Sequence, residues 1–304
     1  MTPARAVSVF APAKVNLTLH VTGQRDDGYH FLDSLVAFAD VGDRLFIQQG
    51  NTPSLTTEGP EARDVPADMD NLILRAAGLF DDVPGVSFLL TKNLPVSSGI
   101  GGGSADAAAA FRGLLLYLSK GETQPDFSTS SLAPLGDRLM ALGADIPMCL
   151  LSEYARVRGI GEQIQPIDSL PTLDAVLINP RRPVSTPAVF RAMRRRDNPP
   201  MPDTATSFKS KDAFVCWLAE QRNDLEEPAM RLEPSISDAL AALRAGPACA
   251  LARMSGSGAT CFGLYDTKEQ AQTAALSLRK SHPDWWVTAT QLGSQTQLAL
   301  PRLS

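Results

Sequence analysis

Residues 95–104 read Pro95-Val96-Ser97-Ser98-Gly99-Ile100-Gly101-Gly102-Gly103-Ser104. Four glycines within five residues (Gly99, Gly101, Gly102, Gly103) let the backbone turn through positive φ and present several N–H groups to one point. The alanine-rich stretch 105–118 that follows is a helix by propensity. Its unpaired first-turn amides and the positive end of its dipole add to the loop, and the sum is an anion site suited to phosphate. Ser104 stands where it could cap that helix or touch a phosphate or its magnesium. The competing reading is a glycine turn chosen for tight packing. Walker A chemistry is rejected because no Lys follows the glycines. The dinucleotide fingerprint fits poorly because no acidic residue closes a following strand some 20 residues on.

Other residues gain meaning only in combination. Lys14, Asn16, Thr18 and His20 alternate with apolar positions over 15–21, as on one face of a strand. Alone, Lys14 reads as a solvated lysine, and Asp145, before Ile146-Pro147, as a turn or helix-end aspartate. Tyr29 and His30 follow Asp27-Gly28, a turn-forming dipeptide; alone, Tyr29 is a core or hairpin aromatic and Phe190 a helix packing residue. Ser255, Gly256, Ser257 and Gly258 form a second amide-rich turn, or simply a tight turn before a strand at 260–265.

The elements that must hold these groups follow from pattern. Strands are predicted over 43–48, 86–90, 173–178, 260–265 and 285–289, and helices from 70 or 71 through 80, over 105–118, 132–142, 211–220, 234–245 and 268–280. Residues 49–68 read as a loop with a short strand, and 191–207 as a solvated, basic and then proline-rich loop. Helices and strands do not alternate strictly, which favours α+β over a doubly wound sheet.

The chain has 304 residues, 44% hydrophobic and 20% charged, with net charge −5. That length suggests two domains, and the composition excludes a mostly disordered chain. Net acidity disfavours sequence-independent nucleic-acid binding, and no apolar run is long enough to span a bilayer. Residues 1–9 lack the pattern of a secretory signal. Four scattered cysteines and three scattered histidines make zinc, a disulfide framework or another metal site improbable, so no metal ligand is assigned and a cytoplasmic location is expected.

Three segments in order, Pro12-Ala13-Lys14-Val15-Asn16, Pro95 through Ser104, and Ser255-Gly256-Ser257-Gly258, resemble the GHMP kinase family. Its marks are Pro-x-Lys-x-Asn, Pro-x3-Gly-x-Gly-Gly-Gly-Ser and Ser-Gly-x-Gly. Val21-Thr22-Gly23-Gln24-Arg25-Asp26-Asp27-Gly28-Tyr29-His30, Gly143-Ala144-Asp145-Ile146-Pro147 and Ser185-Thr186-Pro187-Ala188-Val189-Phe190 are similar to the branch whose acceptor is an alcohol carried on cytidine diphosphate. Two departures stand out: Ser185 where that branch has Pro, and Ser104-Ala105-Asp106 where Ser-Ser-Asn is frequent.

The resemblance implies an α+β chain of two domains with a cleft between them. An N-terminal ATP-binding domain, 1–157, would be similar to the second domain of ribosomal protein S5, and a C-terminal substrate domain, 158–304, would be ferredoxin-like. It implies transfer of the ATP γ-phosphoryl to a hydroxyl, with Mg2+ carried by the ATP. Asp145 would accept or orient the hydroxyl proton, and Lys14 would keep that carboxylate ionised. Residues 95–104 would hold ATP, with Lys92 and Leu94 flanking the adenine. Asn16 would bond the substrate, Tyr29 and Phe190 would sandwich the cytosine, and His30 would bond its polar edge. Ile160, Thr186, Pro187 and Ser255 to Gly258 would complete the substrate site. Only a small-molecule partner is expected, with no nucleic acid or membrane, on a monomer or weak homodimer. The rivals are another GHMP kinase, acting on homoserine, mevalonate or a sugar, and a catalytically dead nucleotide sensor.

Overall fold

The computed structural model describes residues 6–80, 83, 85–119, 124–203 and 208–304. Residues 1–5 and 204–207, which bear on the readings of the N-terminus and of the 191–207 loop, lie outside it.

Twelve strands among the described residues join into one sheet. They are β1 (Ala6–Asn16), β2 (His20–Gln24), β3 (His30–Gln49), β4 (Ser54–Glu58), β5 (Val86–Thr91), β6 (Ala155–Gly159), β7 (Gln163–Pro166), β8 (Leu173–Asn179), β9 (Leu251–Met254), β10 (Cys261–Tyr265), β11 (Trp286–Gly293) and β12 (Arg302–Leu303). The 20-residue β3 is the spine: it pairs antiparallel with β1 along most of its length and, at successive stretches, with β2, β6, β11 and β5. The register of β1 shifts between Pro12 and Lys14, where the N–H-less proline is accommodated.

The helices are α1 (Leu72–Ala77), α2 (Gly102–Leu118), α3 (Thr129–Leu132), α4 (Gly136–Leu142), α5 (Ile146–Leu151), α6 (Thr186–Ala192), α7 (Lys211–Ala219), α8 (Glu226–Leu232), α9 (Ser235–Ala245), α10 (Lys268–Ser281) and α11 (Thr296–Ala299). Their starts carry sequence-readable caps: Asn71, Ser185 and Ser210 accept from N–H groups of the first turn, and Thr267 with Gln270 forms a capping box.

One apolar core lies between α1, α2, α5 and the faces of β1, β3 and β5, built around Phe38, Ile47, Phe88 and the alanines 107–110. A second packs α8, α9 and α10 on β8 and β10. A third joins the far end of β1 and β3 to β8, β11 and α7 through Leu17, Leu35, Leu177 and Phe214. The glycine loop, the Lys14 end of β1 and the start of α6 surround a cleft of about 1100 Å3.

Candidate active site

Lys14 and Asn16 end β1 two residues apart and so share one face. Lys14 Nζ donates to Asn16 Oδ1 at 2.8 Å and lies 3.1 Å from Asp145 Oδ2. Asn16 Nδ2 in turn donates to Ser34 Oγ at 2.8 Å, which fixes the amide's orientation. Asp145 stands at the start of α5, yet its side chain caps no amide of that helix. Its carboxylate faces Lys14 with 38% of the side chain exposed, against 6% for Lys14. A nearly buried ammonium thus orients an accessible carboxylate towards the cleft, where a hydroxyl could meet it.

The glycine loop closes over this pair. The Lys14 N–H donates to the Ile100 carbonyl at 2.9 Å, binding strand to loop. Gly101, at φ +65°, leaves a gap in which a Cβ would lie 3.2 Å from Lys14 Cε and 3.8 Å from Asp145 Oδ2. Gly99, at φ +76°, passes so close to the second turn that a Cβ would meet the Gly258 carbonyl at 2.6 Å. The Ser255 hydroxyl fastens the two turns, accepting from the Asn16 N–H at 3.0 Å and donating to the Gly99 carbonyl at 3.1 Å. α2 begins at Gly102, so its free amides open on the cleft beside Lys14 and Asp145.

At the other end of the cleft the His30 ring stacks on Phe190, centroids 4.5 Å apart and planes 22° from parallel. Burial, and then the Arg196 guanidinium, hold its imidazole below the ordinary value, and its Nε2 has no partner. Tyr29 projects from the β2–β3 turn with 61% of its surface exposed. Thr186 Oγ1 and Ser257 Oγ share a hydrogen bond of 2.6 Å across the floor, and Ile160, Pro187, Gly256 and Gly258 line the walls.

Of the residues singled out in the sequence, Lys14, Asn16, Tyr29, His30, Lys92, Pro95, Val96, Ser97, Ser98, Gly99, Gly101 to Ser104, Asp145, Ile160, Thr186, Pro187, Phe190 and Gly256 to Gly258 all line this one cleft. Three side chains face elsewhere. Leu94, expected to flank the adenine, and Ile100 are fully buried in the third core. Ser255 is fully buried as the fastening between the turns, so its hydroxyl is already committed. Lys92, though it reaches the cleft floor, is held by Asp43 and, at 2.7 Å, by Asp106. Arg191 and Arg196 also line the cleft. A run of arginines beside prolines looks solvated, and only the neighbouring Phe190 could have pointed to them.

A cleft that combines an amide-rich loop at a helix start, a lysine–carboxylate pair and a strand-borne asparagine defines a small-molecule phosphotransferase of the GHMP type. The description "GHMP kinases N terminal domain" matches residues 71–153 and "GHMP kinases C terminal" matches 210–284. The 4-diphosphocytidyl-2-C-methyl-D-erythritol kinase of Roseobacter denitrificans is 57% identical over 300 residues, covering 99% of this chain and 98% of that enzyme. The enzyme of the same name from Dinoroseobacter shibae is 51% identical, covering 95% and 96%. A solved 4-(cytidine 5'-diphospho)-2C-methyl-D-erythritol kinase superposes with TM-score 0.72 at 35% identity, covering 94% of this chain and 99% of that one. A homoserine kinase from Cytophaga hutchinsonii, TM-score 0.68 at 18% identity, shares the fold. The chain belongs to the 4-diphosphocytidyl-2-C-methyl-D-erythritol kinase family of GHMP kinases.

Proposed function

We propose that this chain transfers the γ-phosphoryl of ATP to the 2-hydroxyl of 4-diphosphocytidyl-2-C-methyl-D-erythritol. The products are the 2-phosphate and ADP, in the non-mevalonate route to isoprenoids. The observation that carries the reading is the presence, in one cleft, of an aromatic base seat (Tyr29, His30, Phe190) and a phosphoryl-transfer end (Lys14, Asp145, the glycine loop). A cytidine diphosphate alcohol needs both.

In this reading the amides of residues 95–104 hold the ATP phosphates and supply a field that needs no reorganisation as charge shifts. Asp145 accepts the proton of the attacking hydroxyl or orients it in line, and Lys14 holds the carboxylate in place and offsets charge on the moving phosphoryl. Asn16, held by Lys14 and Ser34, bonds the substrate. Tyr29 and Phe190 enclose the cytosine, whose stacking is worth about 1–3 kcal/mol, and His30 bonds its polar edge. Ile160, Thr186, Pro187 and the turn from Gly256 to Gly258 seat the sugar and diphosphate.

Mg2+ enters as the counter-ion of ATP. When bound it would neutralise charge on the phosphates, and the accessible Asp145 carboxylate would lie beside it. The ATP-binding part is assigned to 1–157 and the substrate part to 158–304, an arrangement supported by the family models on either side of that division. The four free cysteines suit a reducing cytoplasm, and the working unit is taken as a monomer or weak homodimer.

ADP release in the presence of the cytidine diphosphate alcohol, homoserine or mevalonate tests the proposal. The first should give the highest kcat/KM, and preference for either of the others would overturn the substrate assignment. Tyr29→Ala should raise KM for the cytidine substrate roughly tenfold while leaving KM for ATP unchanged, as loss of one stacking face requires. Lys14→Met should lower kcat at least about 10²-fold with little change in thermal stability.

A further inference from the structure

We infer that Arg112 is a positioning residue for phosphoryl transfer: its buried guanidinium holds the strand carrying Lys14 in register with the helix carrying Asp145. The inference rests on the roles proposed above for that pair.

Arg112 lies in the middle of α2 and is 1% exposed. Its Nη1 donates to the carbonyls of Cys149 at 2.7 Å and Leu150 at 3.3 Å, in the last turn of α5, and to Ser152 Oγ at 3.3 Å. Its Nη2 donates to the carbonyl of Phe10 on β1 at 3.1 Å. Asp145 begins the same α5, and Lys14 lies four residues beyond Phe10 on the same β1. One planar group therefore grips both elements that bear the reacting pair. Its own helix carries the glycine loop at its N-terminus, ten residues or about 15 Å away.

The acceptors are three carbonyls and a hydroxyl, none of them a carboxylate, and Nε has no partner among the described residues. Burial accordingly pulls the guanidinium down to about 10. Burying a charge this way is costly, and a methionine would fill the space without that cost. A methionine could not bond two elements at once. The rigid fork of Arg can; a lysine, as a point donor, cannot. The Ser152 hydroxyl completes the grip by donating to Cys149 O at 2.7 Å. The negative end of α5 helps hold the cation. Slippage of α5 against β1 acts directly on the 3.1 Å contact of Lys14 with Asp145, and misplacement near 1 Å is enough to cost about 10²-fold in rate.

The test compares wild type, Arg112→Met and Arg112→Lys at a temperature where circular dichroism shows each folded. Both variants should lose about 10- to 100-fold in kcat, with KM for ATP and for the alcohol within about twofold, since none of the residues that accept from Arg112 itself lines the cleft. Arg112→Lys retains the charge and guards against a methionine variant that does not fold. In an Asp145→Asn background, Arg112→Lys should cost little further turnover, because the group it positions is gone. Unchanged kcat per folded molecule, a loss confined to KM, or an equal loss in the Asp145→Asn background would each overturn the inference. If the wild type prefers another alcohol, the functional reading fails separately and the same comparison is made with that alcohol. Wild type inactive on the whole panel would overturn both.

Discussion

In the proposed base seat, His30 ties substrate binding to pH. Its folded pKa is lowered from 6.5, first by burial and then by Arg196, so at neutral pH the ring is uncharged and offers one donor and one acceptor to a base edge. A depressed value means that the neutral form is favoured above 6.5 and is lost as pH falls through the folded value. KM for the cytidine substrate should therefore be flat above about pH 6.5 and rise below it. Arg196→Gln should move that rise to higher pH by removing the like charge, which steady-state kinetics across pH 5–8 would measure. At this scale the sequence was readable only through combination. Neither Lys14 nor Asp145 differs by type from a surface charge, and it was their order relative to two glycine turns that marked them. The commitment of Ser255 to Asn16 and Gly99 was not readable, because both hydrogen bonds join residues more than 150 positions apart.

At the scale of elements, the loop is anchored from beneath by Asp43, Lys92 and Asp106. Asp43 Oδ1 accepts from the N–H groups of Asn93 and Leu94 at 2.6 and 2.9 Å, just before the loop, while Lys92 bonds Asp106, the fifth residue of α2, just after it. Two buried carboxylates share one ammonium, so burial lifts Asp106 to about 8 against the pull of Lys92. A carboxyl raised this way lends stability that is complete below its unfolded value near 3.8 and is lost as pH rises towards 8. Asp106→Asn should lose less melting temperature than wild type between pH 5 and 8, as thermal unfolding would record. Period-based reading found the middle of most elements. It placed a strand over 43–48 alone, although β3 begins at His30, because Asp33, Ser34, Asp40 and Asp43 interrupt the apolar pattern. Each is satisfied from a distant element: Asp33 by Arg156, Ser34 by Asn16, Asp40 by Thr290 and Asp43 by Lys92. The six-residue α5 is too short, and too proline-marked at its start, to show a period of 3.6. The strand expected over 15–21 divides instead into the end of β1 and the start of β2, with Thr18 turned inward to accept from the Leu35 N–H at 2.8 Å.

At the scale of the molecule, the expected α+β class holds, and one sheet runs through both halves of the chain. Arg156 joins them at depth, with Nε and Nη2 paired to both oxygens of Asp33 at 2.8 and 2.7 Å and a further bond to the Met201 carbonyl. Arg156→Met leaves the Asp33 carboxylate buried without its cation and should cost about 3–5 kcal/mol. Urea unfolding would show it as a lower midpoint at unchanged slope. No periodicity could have announced this join, because it depends on how β3, β6 and the 199–203 segment come together. The Ser255 hydroxyl has a consequence for how ligands communicate. Because it clasps the carbonyl of Gly99 and the amide of Asn16 together, the cradle proposed for one nucleotide and the seat proposed for the other are a single mechanical part. Occupying either should lessen the motion left for the second arrival to quench, so each ligand tightens the other by an equal factor.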